Sequence, residues 1–252
     1  MWIFGDDDTV VSDGIERVMR LLGTQEFDLV YVTPYGYTNS EQLRSIPVTQ
    51  SEPVVYLDAA KYSRRINIMF TLISANIINK DRLRAMSTSD FSSYIGTNLI
   101  QLGWTYAALN NFRSALFVPT VTVLSLSENS GGYGLCKVMG VNMSKIATDI
   151  LDSPRIVRIL ENSTLREYFP PYLLKMKHSS YTLNQEPAHA ILSAHFRSNL
   201  NYWLFPYPII KLPTFFARTW LLICRILAKV HRILFVTAAE KIARNRGQLT
   251  GL

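Results

Sequence analysis

Cysteine and histidine are scarce in this chain, at two and four of 252 residues. Cys136 lies beside a Gly-rich turn and Cys224 inside an apolar helical pattern. Such a distant pair reads as small buried residues rather than a disulfide or a metal site, which fits a reducing, cytoplasmic location. His178, His189, His195 and His231 show no helical zinc spacing and carry no assignment. No stretch of 18 uncharged apolar residues occurs, so a spanning helix is not indicated. The acids at Asp6–Asp8 interrupt any apolar leader. Internal repeats and low-complexity runs are absent too. Residues 1–200 lack net charge. From residue 201 onward, eight Lys and Arg face a single acid, Glu240, which accounts for the whole net charge of +7. An apolar content of 48 % suffices for a real core.

What the chain does have is an acidic run close to its start. Trp2-Ile3-Phe4-Gly5-Asp6-Asp7-Asp8 reads as an apolar strand ending in three carboxylates. Adjacent carboxylates repel unless a cation compensates them. A hard divalent ion, Mg²⁺ or Mn²⁺, with a phosphate opposite would do so. The bland alternative is helix-dipole compensation. A helix does begin nearby, with Asp13 as cap, Glu16 three residues on, and Ile15, Val18, Leu21 and Leu22 on one face. Asp6 to Asp8 lie too far before that cap to serve it. An EF-hand is excluded, since no glycine or glutamate falls at the required offsets.

The remaining pattern is mixed α/β up to about residue 150. Strands are expected at Trp2–Phe4, Phe27–Thr33, Val54–Leu57 and Phe117–Leu126, the last at a sheet edge because of Pro119. Pro34 to Pro53 reads as a polar loop. Helices are expected at Asp13–Leu22, Lys80–Arg84 and Tyr94–Leu109, the last with Leu99, Leu102, Tyr106 and Leu109 inward, and from the Gly-rich turn to about Leu151. Residues 151–213 read as a helical linker region broken by prolines.

The ordered set of these segments resembles family 2 glycosyltransferases of the GT-A fold, in the abequosyltransferase-like branch. The matching residues are the acidic motif, the Asp28-Leu29-Val30-Tyr31 strand, Phe70–Lys80, Tyr94–Leu102 and Asn129-Ser130-Gly131-Gly132-Tyr133. The resemblance covers residues 1–150. It implies a partial, Rossmann-like GT-A mixed sheet and an inverting transfer of sugar from a nucleotide-sugar donor to a saccharide acceptor, in bacterial O-antigen or surface polysaccharide synthesis. The resemblance also places the metal on Asp7, with Asp8 supporting and Asp6 near the donor ribose or phosphate. Gly131, Gly132 and Tyr133 would approach the donor. Ser74, Ala75, Asn76 and Asn98 would border the acceptor. In the bland reading the small residues at 74–76 are a turn and the glycines a plain hairpin.

Two departures stand out. The family's base is an Asp often preceded by Glu, whereas this chain offers Asp90 alone, the only carboxylate between Asp81 and Glu128. A solvated loop acid is an equal reading of Asp90. The family also carries its first strands and nucleotide-base pocket before the metal motif. Here only five residues precede Asp6, from which a truncated product, a split gene or a misplaced start is expected.

Residues 214–252 read as a basic amphipathic helical appendage. Arg218, Arg225, Lys229 and Arg232 fall within an arc of about 60° on a helix expected from Thr214 to Arg246. Phe215, Phe216, Trp220, Leu227 and neighbouring apolar residues flank them. This suits an anionic membrane surface better than nucleic acid; the family resemblance implies a lipid-linked acceptor and a peripheral location on the cytoplasmic face of the inner membrane. A core-packing helix with a solvated stripe is the alternative. Two rival functions remain: a non-catalytic membrane-associated remnant, and a haloacid-dehalogenase-like phosphatase using Asp6-Asp7-Asp8-Thr9-Val10.

Overall fold

A computed structural model describes residues 1–23, 25–47, 51–86, 90–127, 132–177 and 186–237. The chain is mixed α/β. The first part runs β1 (Asp8–Val10), α1 (Gly14–Leu22), β2 (Leu29–Tyr37), β3 (Val54–Tyr56), α2 (Ala59–Ile66), β4 (Asn76–Ile78), α3 (Lys80–Met86), α4 (Gln101–Asn110) and β5 (Ala115–Leu126). Helices then follow: α5 (Met143–Ile150), α6 (Pro154–Ser163), α7 (Phe169–Met176), α8 (Ala188–Phe196), α9 (Leu200–Leu204), α10 (Pro206–Lys211) and α11 (Thr214–Arg232).

The sheet is built on β5. Its whole length pairs parallel with β2, and β2 pairs antiparallel with β4. Because β2 fills one edge of β5, the antiparallel partners β3 and β1 share the other, at Ala115–Phe117 and Val123–Ser125 respectively. Pro119 is therefore not at a sheet edge. The register steps from Val32↔Val118 to Thr33↔Val121, leaving Pro119 and Thr120 in a bulge where the missing N–H goes unneeded. Nor does the Pro34–Pro53 segment begin as loop, since β2 runs on to Tyr37 opposite Leu126.

Other boundaries move for local reasons. The helix expected from Tyr94 starts only at Gln101, because Gly96 and Asn98 adopt positive φ (82° and 61°), which no α-helix accepts. Its inward residues Leu99, Leu102, Tyr106 and Leu109 are nonetheless all buried. Asp13 precedes α1 without capping it and pairs instead with Arg17, one turn on. Glu16 likewise pairs with Arg20 rather than completing a capping box. Ile15 stands 61 % exposed, and Val18 carries the burial of that helix. Trp2–Phe4 form only a single bridge, Trp2↔Ile77, and the strand begins at Asp8.

The main core lies between β2, β3, β5 and helices α2 and α4–α6, around Tyr62, Phe70, Tyr106 and Met143. A second core is helical. It gathers Cys136 with Leu165, Phe169, Leu192, Tyr202, Ile209 and Leu221. A small cluster under α1 covers the opposite sheet face with Val30, Val32 and Leu116.

Asp28, just before β2, fixes the sheet's entry. It is 2 % exposed and accepts the N–H groups of Arg113 (2.6 Å) and Ser114 (2.9 Å) and the Arg82 guanidinium (2.7 Å). These bonds hold the starts of β2 and β5 side by side.

Helix α11 docks by Ala217, Leu221 and Cys224. Burial pushes the Cys224 thiol up to about 11. Phe215, Phe216, Leu222, Ile226, Leu227 and Val230 face outward, with Phe215 74 % exposed. Arg218, Arg225, Lys229 and Arg232 line one flank, where Arg232 pairs with Glu167 (3.0 Å). The helix ends in a π-turn at Ile233–Thr237, and the expected extension to Arg246 lies outside the described residues. Among the described residues no helix is long and apolar enough to cross a membrane.

Asp28→Ala would strip one buried and one partly buried N–H group and a partly exposed arginine of their acceptor. A loss of about 1–3 kcal/mol is expected in urea-induced unfolding, the range for leaving a buried donor unsatisfied.

Candidate functional site

The acidic turn is held from two directions. On one side β1 ties Asp8 to Ser125 in the sheet. On the other, Ser74 grips the residues before it. The Gly5 N–H donates to Ser74 Oγ at 2.8 Å, and the Trp2 indole N–H donates to the Ser74 carbonyl at 2.8 Å. The Trp2 and Phe4 rings pack together with centroids 4.7 Å apart. The chain then turns, with the Asp8 N–H reaching back to the Gly5 carbonyl (3.3 Å).

This turn brings two carboxylates to the same point. A Cβ on Gly5 would meet an Asp7 carboxylate oxygen and an Asp8 carboxylate oxygen, each at 3.2 Å. Gly5 thus leaves the space into which both acids converge. The Asp8 oxygen at that point is Oδ2; its other oxygen, Oδ1, is buried and has no hydrogen-bond partner among the described residues. A buried carboxylate oxygen without a donor is costly, and a bound cation is the species that would satisfy it. Asp6 stays in solvent. Among the described residues no three His, Cys, Asp or Glu side chains gather as a ligand set, so the Asp7–Asp8 pair is what the fold offers. Two carboxylates suit Mg²⁺ or Mn²⁺, which keep waters and take phosphate oxygens for the rest of their shell.

Tyr133, from the Gly-rich segment, lies within electrostatic reach of Asp7, more than 120 residues earlier in the chain. It packs against the main core and is half-buried. Burial raises its phenol above the ordinary range, and the Asp7 charge raises it further. Gly132 beside it has φ of 72°, with open space where a side chain would lie. Gly131 lies outside the described residues.

The segment expected to border the acceptor serves mainly as scaffold. Ser74 and Ala75 are fully buried. Asn76 is buried too, and its amide donates to the carbonyls of Met69, Phe70 and Leu72. Asn98 is exposed on its left-handed turn before α4.

Asp90 is exposed, and no described contact joins it to the acidic turn. Both of its oxygens are taken by Ser92, one by the N–H (2.8 Å) and one by the hydroxyl (2.6 Å). The Ser92 hydroxyl bond, followed by the N–H bond, holds the Asp90 carboxyl below the usual carboxylate range. A depressed carboxyl is the weaker base. It favours the folded state above the ordinary carboxylate range and loses that contribution as pH falls through its lowered value.

Two contributors carried no sequence signal. Trp2 reads as strand filler but clamps Ser74. Glu186 follows a polar stretch yet accepts the N–H groups of Cys136 (2.5 Å) and Lys137 (3.3 Å), where the chain turns helical after Tyr133. Burial first, then Glu186, pushes the Cys136 thiol well above its ordinary value, leaving it unreactive.

No protein-family model matches this chain, and neither does any curated protein.

Two substitutions probe the geometry. Gly5→Ala should push the two carboxylates apart by a few tenths of an ångström. Weaker Mn²⁺ binding with an almost unchanged melting temperature is the expected outcome, read by calorimetry. Ser92→Ala should move the Asp90 carboxyl titration upward towards the ordinary carboxylate value, followed by NMR of its side-chain carbon.

Proposed function

We propose that this chain carries the metal-binding part of an inverting glycosyltransferase of the GT-A type, related to family 2 and its abequosyltransferase-like branch. The observation that carries this reading is the pair of converging carboxylates, Asp7 and Asp8, with one Asp8 oxygen buried and unpartnered. Asp7 and Asp8 would hold Mg²⁺ or Mn²⁺, which when bound neutralises the charge developing on a nucleoside diphosphate leaving group. Tyr133 offers a ring face and a protonated phenol beside the donor phosphates or sugar. Ser74 and Trp2 position the turn. Asp90 is the carboxylate proposed to take the proton of the acceptor hydroxyl, and Ser92 must release one of its oxygens for that to happen.

The outward apolar face of α11 and its flanking Arg218, Arg225 and Lys229 support a peripheral seat on an anionic membrane, facing the cytoplasm. A saccharide acceptor carried on lipid suits that seat.

The test is binding of a nucleoside diphosphate with and without Mn²⁺. Binding should need the ion and should fall by about 100-fold in Asp8→Asn, as expected for loss of a buried charged ligand. Equal binding with and without the ion would contradict the proposal.

A further inference from the structure

A second basic feature lies outside the acidic site and shares no residue with it. Between α2, α6, the π-turn at Thr164–Tyr168 and the end of α11 there is a cavity of ≈ 440 Å³. Arg64, Arg155, Arg158, Arg166 and His231 line it, with Phe235 at its apolar side. Among the described residues no carboxylate lines it. Among the described residues Arg64, Arg155 and Arg158 form no ion pair.

Arg166 is the most telling member. It is 8 % exposed, and its Nε is buried without a partner. Of its two terminal nitrogens, Nη2 is used by Glu167 at 2.8 Å. Glu167 also takes Arg232 (3.0 Å) and Asn67 (3.3 Å), so its charge is already shared. The like charges tell on one another. Burial and then Arg155 draw the Arg64 guanidinium below its ordinary value. Burial and then Arg166 draw His231 down, with Arg64 adding to the effect and Glu167 opposing it.

Guanidinium groups converging on one cavity repel each other unless an anion lies between them. Their planar forks match the oxygens of phosphate, which they grip in pairs. Four such groups exceed what one carboxylate would neutralise and suit a multiply charged anion. The cavity also lies within the size range of ligand sites, about 300–1,000 Å³. Exposed Ile233 and Leu234 stand next to its Phe235 wall, so an acyl or prenyl chain leaving the cavity would meet apolar surface.

We infer that this arginine-lined cavity binds a phosphate or diphosphate group, either free in solution or on the headgroup of a lipid lying against α11. The inference is independent of the glycosyltransferase reading.

The full chain is titrated with inorganic pyrophosphate in EDTA, which keeps the Asp7–Asp8 pair free of metal. It is also sedimented with phosphatidylcholine vesicles containing phosphatidic acid. The variant is Arg155→Gln with Arg158→Gln, both exposed on α6, so the fold is retained; thermal unfolding checks this. Arg218→Gln with Arg225→Gln serves as reference. Pyrophosphate binding weakened by about tenfold or more in the α6 variant, but not in the reference, supports a soluble ligand. Vesicle binding weakened by the α6 variant without pyrophosphate binding supports a lipid headgroup. Failure to bind pyrophosphate, with vesicle binding that depends only on the reference pair, would overturn the proposal.

Discussion

The acidic turn stays in place because Ser74 holds Gly5. One hydroxyl and one carbonyl take the Gly5 N–H and the Trp2 indole, and β1 secures the far side of the turn on Ser125. Without the Ser74 grip, three adjacent carboxylates would spread into solvent to relieve their repulsion. With it, Asp7 and Asp8 are pressed towards one point, and one oxygen is buried with nothing to satisfy it. The fold thus leaves an electrostatic demand that a divalent cation would answer. Gly5 matters for the side chain it lacks, since a Cβ would occupy the point of convergence.

That grip depends in turn on the sheet. Ser74 lies two residues before β4, which is carried by β2, and β2 is aligned with β5 by the Asp28 bonds. The two ends of the turn are therefore anchored to opposite sides of one sheet whose entry is fixed by a single buried carboxylate. The acids of this chain differ in partner supply. Asp28 and Glu186 are saturated with N–H donors, whereas Asp8 is left wanting.

Much of this was legible in sequence where local pattern and burial agree. Val54–Tyr56, the start of β2 and the inward face Leu99, Leu102, Tyr106 and Leu109 follow from alternation and spacing. The reading fails where tertiary pairing overrides local preference. Pro119 suggests an edge, yet a bulge lets β5 run through the middle of the sheet. Gly96 and Asn98 delay a helix because their backbone turns left-handed. At the site, the acidic run and Tyr133 are visible as residue types, but their approach depends on a contact across the whole α/β part. Trp2, Glu186 and the arginines at 64, 155, 158 and 166 carry no motif; only packing of α2, α6 and α11 gathers the last group. The basic stripe on α11 was legible as a stripe. That the flank beside the stripe docks through Ala217, Leu221 and Cys224 was not.

The most direct measurement is a Mn²⁺ titration of the full chain followed by amide NMR. Paramagnetic broadening is expected first at Gly5–Asp8, Ser74 and Tyr133, with Asp90 and Ser92 affected only at higher metal. Broadening that leaves Gly5–Asp8 and Tyr133 sharp, or that begins elsewhere, would contradict the assignment of Asp7 and Asp8 as the metal-holding pair.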